Sequence, residues 1–401
     1  MIKGQSRTWE TDRSKSITFI VTKDCQLACK YCYLVGKNSK ERMSWDIAKA
    51  AIDYILGHED DFKEASVIWD FIGGEPFLEI DLIDRICDYI KIEMFKRDHH
   101  WFNSYRFSFS TNGINYDTPK VQAFINKNIK HLSIGITIDG TELKHDLNRV
   151  YKESGKGSYK DVVRNIPLWL SQFPEAATKV TISSEDIPYI AESVLHLYDL
   201  GIHEVNINCV FEDVWKEGDD TLFENELIKL ADAIIDNNLF EDHACSFFQE
   251  HIGRHIDCEN NNSNWCGAGK MLAIDSRGNF YPCMRFAKYS LRNKSAWIIG
   301  DINSGIDSNK LRPFLSLDRF SQSAKECLEC EVNGGCAWCQ GENYDAASMP
   351  TVYQRSTAIC LMHKARVRAN NYYWRKLFRK IEQRNLTYKS LSSKNSSLVD
   401  C

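Results

Sequence analysis

The strongest constraint on the fold is an alternation of short β-type runs with amphipathic helical stretches through the first half of the chain. The helical stretches over 44–58 and 80–97 carry apolar residues at helical spacing. Parallel strands need crossover connections, which helices supply, so the alternation predicts an α/β fold with a parallel sheet closed into a partial or complete barrel. In such folds the loops at the carboxyl ends of the strands carry the chemistry. The candidate strands are ITFIVT (17–22), SVIWDFI (66–72), YRFSFST (105–111), LSIGITI (132–138), KVTISS (179–184) and EVNINCV (204–210).

Composition narrows the class of protein. A chain of 401 residues has room for two or three domains, and 43% apolar with 26% charged residues is typical of a globular protein. The formal net charge of -5 argues against a general nucleic-acid binder. No apolar run approaches the roughly 18 residues that a membrane span needs, and the polar amino terminus lacks the apolar core of a signal peptide. We therefore expect a cytoplasmic protein with neither nucleic acid nor membrane as partner.

The 15 cysteines are unusual for a reducing compartment, where clustered thiols are more often metal ligands or catalytic groups than disulfides. Cys25, Cys29 and Cys32 form a tight group that begins just after the first predicted strand, at its carboxyl end. Four cysteines saturate a cubane iron–sulfur cluster, so three leave one iron open to bind another molecule. A zinc site or incidental thiols are the alternatives, although zinc usually takes a second ligand pair and none lies nearby.

The motif C-x3-C-x-aromatic-C, with Tyr31 at the aromatic position, resembles that of the radical S-adenosylmethionine superfamily. The resemblance implies that the open iron of a [4Fe–4S] cluster chelates the amino and carboxylate groups of the methionyl moiety. An electron from the cluster then breaks the sulfonium C–S bond and yields a 5'-deoxyadenosyl radical. Tyr31 would pack near the adenine. The family's glycine-rich segment, which binds the methionyl amino group, corresponds to Gly73, Gly74, Glu75 and Pro76, directly after the second predicted strand.

Two further strand ends look like the family's segments that contact ribose, methionyl carboxylate and substrate. Ser110, Thr111, Asn112 and Gly113 end the third predicted strand, and Thr137 to Gly140 end the fourth. Asx-Gly pairs are also common turn chemistry, so plain turns are the alternative. From this resemblance we predict cofactor contacts without assigning any catalytic residue; they involve Ser110, Asn112, Thr137, Asp139 and Arg149.

A second cysteine array follows beyond residue 265. It reads Cys266-x11-Gly278-x4-Cys283, then Cys327-x2-Cys330-x5-Cys336-x2-Cys339, then Cys360. Two C-x2-C pairs also suit zinc ribbons. The array resembles the SPASM domain, which usually holds two auxiliary [4Fe–4S] clusters. It departs from the SPASM pattern in having two rather than three residues between Cys336 and Cys339.

By position, the resemblance implies that Cys327, Cys330, Cys336 and Cys360 ligate the outer auxiliary cluster. Cys266, Cys283 and Cys339 would hold the inner one. The segment 267–277 lacks the extra cysteine of some family members. The inner cluster would then have an open iron, able to bind a substrate thiolate, unless Cys258 serves as a distant fourth ligand.

These patterns predict the following organisation: an N-terminal segment (1–15), a radical S-adenosylmethionine partial (β/α)6 TIM-type barrel (16–225), a helical bridge (226–264), a cysteine-rich SPASM domain (265–362), a basic helix (363–390) and a flexible tail (391–401). The spacer ENNNSN (259–264) would separate the two cluster-binding parts.

SPASM-containing radical enzymes mostly modify ribosomally synthesised peptides or proteins. The segments 209–219 and 334–345 resemble maturases of the ranthipeptide and sactipeptide type, which form Cys thioether cross-links. We expect that activity on a precursor peptide. The alternatives are carbon–carbon cross-linking or epimerisation of a peptide, sulfatase maturation, or a zinc-stabilised peptide-binding protein without radical chemistry.

The partners expected are a precursor peptide with a leader sequence and a flavodoxin- or ferredoxin-type electron donor. Only 24 residues precede Cys25, so we expect leader recognition on another surface or by a separate protein. A basic helix over 363–384 could attract an acidic leader, although a solvated helix face is the plainer interpretation. Its cations are Lys364, Arg366, Arg368, Arg375, Lys376, Arg379 and Lys380.

Overall fold

The computed structural model describes residues 14–37, 39–254 and 266–383. These residues form two units. The first unit holds the described residues within 14–27, 32–135 and 267–317, and the second holds those within 28–31, 136–254, 266 and 318–383. Each unit therefore combines an early part of the chain with a later one.

The first unit is built on one eight-stranded sheet. In sheet order its strands run β11-β10-β9-β8-β1-β2-β3-β4. The pairs β1–β2, β2–β3 and β1–β8 are parallel, whereas β8–β9, β9–β10 and β10–β11 are antiparallel. The strands are β1 (Ser14–Thr22), β2 (Ser66–Gly73), β3 (Tyr105–Thr111), β4 (Leu132–Ile136), β8 (Leu272–Ile274), β9 (Asn279–Tyr281), β10 (Gly300–Asp301) and β11 (Gly305–Ile306).

Crossover helices explain why the first strands pair in parallel. Helix α1 (Trp45–Gly57) joins β1 to β2, and its first turn is capped by the Ser44 side chain, which accepts a hydrogen bond from the Ile47 amide. Helix α2 (Ile80–Lys96) joins β2 to β3 and buries an apolar stripe from Ile83 to Met94. Helices α3 (Pro119–Asn128) and α9 (Ser308–Leu315) complete the unit. The carboxyl ends of β1, β2 and β3 thus lie along one edge of the sheet.

The second unit holds a three-stranded parallel sheet in the order β5-β6-β7. An isolated parallel bridge joins Thr137 to Lys179 beside it. Its strands are β5 (Thr178–Ile182), β6 (Glu204–Cys209) and β7 (Ala244–Cys245). Its helices are α4 (Glu142–Asn148), α5 (Tyr159–Val163), α6 (Ile166–Gln172), α7 (Ile190–Asp199), α8 (Asp219–Asp236), α10 (Arg319–Gln322), α11 (Lys325–Leu328), α12 (Gln340–Ala346) and α13 (Cys360–Gln383).

Helix α13 is the predicted basic helix, and several of its basic side chains form ion pairs or hydrogen bonds with α8. Arg368 pairs with Glu224 at 2.5 Å and with Asp220 at 3.7 Å. Lys376 pairs with Asp232 and Asp236, and the Lys380 ammonium donates to the Ile235 carbonyl oxygen. These contacts favour a structural explanation for much of the basic pattern.

The structure confirms an α/β fold with a parallel-strand core, and each of the six predicted strands is present to within a few residues. Beyond residue 265, the short strands β8 to β11 extend the first sheet from β1. The predicted domain boundaries were drawn from motifs and stay a prediction. Cys258 and the spacer 259–264 lie outside the described residues, as does the tail 391–401. Among the helices that are described, none combines the length and apolar character that crossing a membrane requires.

Candidate functional site

The glycine-rich segment after β2 packs directly against the start of the cysteine loop. The Gly74 amide donates to the Thr22 carbonyl oxygen at 3.0 Å, and the Glu75 amide donates to the Asp24 carbonyl oxygen at 2.8 Å. A Cβ atom at Gly73 would collide with the Thr22 carbonyl, and one at Gly74 would collide with the Asp24 carbonyl and crowd the Cys25 side chain. Both positions therefore require glycine for a close backbone approach.

The Glu75 side chain joins the carboxyl ends of β2 and β3. It is 1% exposed, and its Oε1 accepts hydrogen bonds from the Phe77 amide and from the Thr111 hydroxyl at 2.7 Å. Its Oε2 accepts from the Asn112 amide at 2.7 Å. A carboxylate offers about four acceptor positions. Glu75 therefore holds two loops together, while the ammonium contact predicted for it stays a prediction.

Asn112 brings the third strand end to the cysteine loop. Its Nδ2 donates to the Gln26 side-chain oxygen at 3.1 Å and lies 3.9 Å from the Cys25 sulfur. Its Oδ1 accepts from the Ile114 amide in an Asx turn. The Cys25 sulfur also accepts from the Leu27 amide at 3.4 Å. Donors aimed at Cys25 stabilise a thiolate, which is the form that binds iron.

The second unit contributes a buried network around Tyr31. The Tyr31 hydroxyl donates to the Asp139 carboxylate and accepts from Arg149 Nη1 at 3.0 Å. The other Asp139 oxygen accepts from the Thr181 amide at 3.2 Å. Asp139 is fully buried, and Arg149 is 6% exposed. Three residues singled out from the sequence are thus joined directly, although they lie far apart in the chain.

Electrostatics fix the charge states in this network. Burial raises the pKa of Tyr31 well above its ordinary value and keeps the phenol neutral. Burial also acts to raise the pKa of Asp139, but the nearby cations, first Lys144 and then Arg149, outweigh it and hold that pKa below its ordinary value. Asp139 is therefore a carboxylate beside the Arg149 guanidinium.

A neutral histidine supports both charged groups. Burial, assisted by Arg149, lowers the pKa of His145 to about 3. Its Nδ1 accepts from the Asp139 amide at 3.2 Å, which assigns the ring proton to Nε2. That nitrogen donates to the Ser158 hydroxyl, which in turn donates to the Arg149 carbonyl oxygen at 2.8 Å. His145 and Ser158 thereby position the segments that carry Asp139 and Arg149.

In the described part of the chain, Arg149 has a free hydrogen-bond donor that is suited to a carboxylate such as that of S-adenosylmethionine. Its Nε atom is buried and has no hydrogen-bond partner among the described residues. A buried guanidinium donor without an acceptor costs free energy unless a ligand supplies one. A ligand carboxylate is the acceptor that a guanidinium binds best. The Arg149 side chain therefore fits the methionyl carboxylate of the cofactor.

The other residues predicted to contact the cofactor lie at strand ends or in a turn. Ser110 and Thr137 are half-buried at the ends of β3 and β4. Pro76 begins a short 3₁₀ turn that Glu75 caps. Sequence reasoning missed Gln26, His145 and Ser158. No local signal identifies them, since their roles depend on partners from other loops.

Four cysteines of the second array lie in one electrostatic environment. Burial raises the pKa of Cys327 and of Cys336, and neighbouring thiols in this group raise both further. The Arg355 guanidinium opposes that rise and donates to the Cys336 sulfur at 2.9 Å. Arg355 also stacks over Trp338, with 4.2 Å from the guanidinium carbon to the ring centroid. The thiols that act on one another are those of Cys327, Cys330, Cys336 and Cys360.

A zinc site and a cubane arrange thiolates differently. Four thiolates around one zinc ion, each about 2.3 Å from it, would lie within about 4 Å of one another. In a cubane each thiolate binds a different iron. In the part of the chain that the structure describes, the one trio of potential ligands within 4.8 Å is Glu59, His99 and His100, and no disulfide joins the described cysteines. The kind of metal centre that the cysteines hold therefore stays a prediction.

The other three cysteines of the array occupy separate elements. Cys283 follows β9, after a hairpin in which Gly278 has a φ of 81° and forms the turn. Cys339 is the residue before α12, and Cys266 stands at the start of a described segment. Their grouping around an inner cluster stays a prediction.

Parts of this chain are similar in sequence to known proteins. Residues 19–183 match the model of the Radical SAM superfamily. An uncharacterized protein of Methanocaldococcus jannaschii is 31% identical over 201 residues, covering 50% of this chain and 64% of that protein. The chain thus spans less than two thirds of this relative.

Two longer matches are more distant. The radical SAM cyclopropyl synthase TigE of Paramaledivibacter caminithermalis is 21% identical over 81% of this chain and 67% of its own length. A serine-type anaerobic sulfatase-maturating enzyme of Bacteroides thetaiotaomicron is 21% identical over 78% of this chain and 80% of its own length.

Solved structures share the fold. Native anSMEcpe with bound AdoMet and the Cp18Cys peptide superposes with a TM-score of 0.63 at 18% identity, covering 93% of this chain and 99% of that one. Streptococcus suis SuiB bound to its precursor peptide SuiA gives a TM-score of 0.54 at 16% identity, covering 86% and 75%. The match of residues 19–183 to the Radical SAM superfamily and the maturase among the relatives support an enzyme, and that superfamily implies a [4Fe–4S] cluster and S-adenosylmethionine.

Proposed function

We propose that the chain is a radical S-adenosylmethionine peptide maturase that installs Cys thioether cross-links in a ribosomally synthesised precursor peptide. The observation that carries the proposal is the grouping of Cys327, Cys330, Cys336 and Cys360 around Arg355, in addition to the Cys25–Cys32 loop. A second cysteine array beyond the one that a Radical SAM domain needs is typical of SPASM-type maturases. The fold shared with peptide-bound anSMEcpe and SuiB supports a peptide substrate.

The residues of the first site have distinct tasks in this proposal. Cys25, Cys29 and Cys32 hold the [4Fe–4S] cluster, and the cluster with bound S-adenosylmethionine supplies a 5'-deoxyadenosyl radical. Arg149 binds the methionyl carboxylate through its buried Nε. Asp139 fixes Tyr31, and Glu75 fixes the loop that carries Asn112. These residues orient the cofactor and keep water away from it.

The auxiliary clusters belong to the proposal as well. Cys327, Cys330, Cys336 and Cys360 would hold the outer cluster. Cys266, Cys283 and Cys339 would hold the inner one, with an open iron for the substrate thiolate or with Cys258 as fourth ligand. A partial barrel, a cytoplasmic location and a flavodoxin- or ferredoxin-type electron donor complete the proposal.

Carbon–carbon bond formation is the second candidate. The cyclopropyl synthase TigE matches 81% of this chain, and a cyclopropyl group is made by forming a carbon–carbon bond. The two candidates differ in the fate of a substrate cysteine. A thioether consumes the cysteine thiol, whereas a carbon–carbon cross-link leaves it free.

Mass spectrometry of a small Cys-rich peptide encoded beside the enzyme separates these outcomes. After reaction with the anaerobically reconstituted full chain, S-adenosylmethionine and a reductant, we expect a loss of two hydrogens per cross-link. We also expect one cysteine fewer to react with iodoacetamide for each loss. Loss of two hydrogens with every cysteine still alkylated would contradict the thioether proposal and support carbon–carbon bond formation. An unchanged mass with inverted residues would indicate epimerisation.

A further inference from the structure

A cavity in the second unit shares no lining residue with the sites described above. Its volume is about 430 Å³, within the usual range of about 300–1,000 Å³ for ligand sites. Ala176 precedes β5, Glu204 begins β6 and Ala244 begins β7, and all three line the cavity. The cavity therefore opens at the amino ends of these strands. In parallel α/β proteins, the chemistry is at the opposite ends.

Aromatic side chains form much of the cavity wall. Phe248 and Tyr373 stack with their ring centroids 4.3 Å apart, and Trp374 meets Tyr373 edge-on at 5.4 Å. Tyr373 and Trp374 are 5% and 6% exposed, so the wall is held rigidly by packing. Faces of aromatic rings carry partial negative charge and attract cations.

The charged lining residues are acidic. Glu175, Glu204 and Asp242 line the cavity, and no lysine or arginine among the described residues does so. Burial raises the pKa of Glu204, and neighbouring Glu175 adds to the rise. Burial lowers the pKa of His243, and His203 lowers it further, so His243 is a weak source of positive charge. Lys380 of α13 lies 5.8 Å from the ring centroid of the lining residue Phe240, and its ammonium is bound to the Ile235 and Asp236 carbonyl oxygens.

One buried polar atom of the lining, Trp374 Nε1, is a hydrogen-bond donor with no partner in the described chain. The His243 ring, by contrast, has a hydrogen bond with the Leu239 backbone. A ligand that satisfied Trp374 would need an acceptor, such as a peptide carbonyl. A basic amino-acid residue within a peptide carries that acceptor beside its cation.

We propose that this cavity binds a lysine or arginine side chain of the precursor peptide. The cation would lie between the aromatic wall and Glu204, and the peptide carbonyl would accept from Trp374 Nε1. The proposal rests on the proposed function for the identity of the peptide. It places a recognition site at the amino ends of β5, β6 and β7.

The test measures binding of a blocked amino acid by isothermal titration calorimetry. The probe is N-acetyl-arginine N-methylamide, and the neutral analogue with citrulline has nearly the same shape. Agmatine, which lacks the peptide carbonyl, tests for a site that binds free amines. The protein is the full reconstituted chain, and its production of 5'-deoxyadenosine reports on fold and clusters independently of any peptide.

We expect the arginine probe to bind at least tenfold more tightly than its citrulline analogue and than agmatine. Glu204→Gln should weaken arginine binding about tenfold, because a charge-assisted hydrogen bond is lost. Trp374→Phe should weaken binding of the arginine probe and leave binding of agmatine unchanged. The matched control is Glu192→Gln, at an exposed carboxylate on α7 outside the cavity, and it should bind like the parent protein.

Equal binding of the arginine and citrulline probes, no binding of either, or an unchanged affinity in Glu204→Gln would overturn the proposal. Agmatine binding as tightly as the blocked arginine would assign the cavity to a free amine instead. None of these results depends on cross-linking, so a failure of the proposed activity is distinguishable from a failure of this site.

Discussion

In the proposed function, Arg149 is the residue that binds the methionyl carboxylate of the cofactor. Its guanidinium is buried, contacts Tyr31 and lies near Cys29 and Asp139, and its Nε has no partner in the described chain. These groups raise the pKa of Arg149 against the opposing effect of burial, so its positive charge is permanent.

We predict that Arg149→Gln weakens S-adenosylmethionine binding by about tenfold or more, since a charge-assisted hydrogen bond contributes about 1.5–3 kcal/mol. Equilibrium dialysis with labelled cofactor on the reconstituted protein measures the change. Arg164→Gln, at an exposed arginine, should bind the cofactor normally. Normal cofactor affinity in Arg149→Gln would rule out the assigned carboxylate contact.

Arg355 acts on the group formed by Cys327, Cys330, Cys336 and Cys360 rather than on substrate. Its donation to the Cys336 sulfur and its positive charge both favour the more negative, reduced form of any cluster held there. We predict that Arg355→Gln lowers the reduction potential of that cluster, while Arg312→Gln, at an arginine on α9, leaves it unchanged. Potentiometric titration followed by electron paramagnetic resonance measures both. An unaltered potential in Arg355→Gln would show that Arg355 has only a packing role.

At the scale of elements, the β2 loop and the cysteine loop act as one piece because two glycines let their backbones meet. A methyl group at Gly74 must displace the Asp24 carbonyl, which is backbone and has little freedom to move. We predict that Gly74→Ala lowers the iron content of the reconstituted protein and destabilises the fold by about 1–3 kcal/mol.

The matched control is Gly57→Ala at the end of α1. There a Cβ would meet only the flexible end of Arg97 at 3.6 Å. Iron analysis and thermal unfolding of both variants provide the comparison. Full iron loading of Gly74→Ala would contradict the explanation that glycine is needed there for the close approach to the Asp24 backbone.

The elements and the site were predictable to different degrees. The sequence pattern predicts β1 to β6 because β1 and β2 are nearly continuous apolar runs, whereas β3 to β6 alternate between buried and more exposed positions. The short strands β8 to β11 carry two or three residues each, too few to show a period. The resemblance to the radical S-adenosylmethionine superfamily pointed to Tyr31, Asp139 and Arg149, whereas the contacts of His145, Ser158 and Gln26 arise only when separate loops meet. Arg355 was missed because nothing in the local sequence relates it to Cys336.

At the scale of the whole molecule, buried neutral histidines make the fold sensitive to acid. Burial lowers the pKa of His145 to about 3 and that of His363 to about 4. His145 faces Arg149, Asp139 and Lys144, and His363 faces cations of α13 and Arg355. Between these values and the ordinary histidine pKa, the unfolded chain binds more protons than the folded one, so stability falls as pH falls below about 6.5.

We predict that each histidine costs about 2 kcal/mol of stability at pH 5 relative to neutral pH. His145→Gln retains a donor for Ser158 but does not titrate, so its melting temperature should fall less between pH 7 and pH 5. His58→Gln, at an exposed histidine, should behave like the parent protein. Equal falls in His145→Gln and the parent would show that His145 is not the source of the sensitivity.

The central claim concerns the whole enzyme: the Cys25–Cys32 loop holds a cluster that cleaves S-adenosylmethionine. The most direct test is to measure 5'-deoxyadenosine and methionine by liquid chromatography and mass spectrometry after anaerobic reconstitution and reduction. We expect both products from the parent protein, about twelve irons per chain for three cubanes, and no cleavage after Cys25, Cys29 and Cys32 are changed together to Ala. Cleavage that persists in the triple variant, or zinc without iron and sulfide in the parent, would contradict the account.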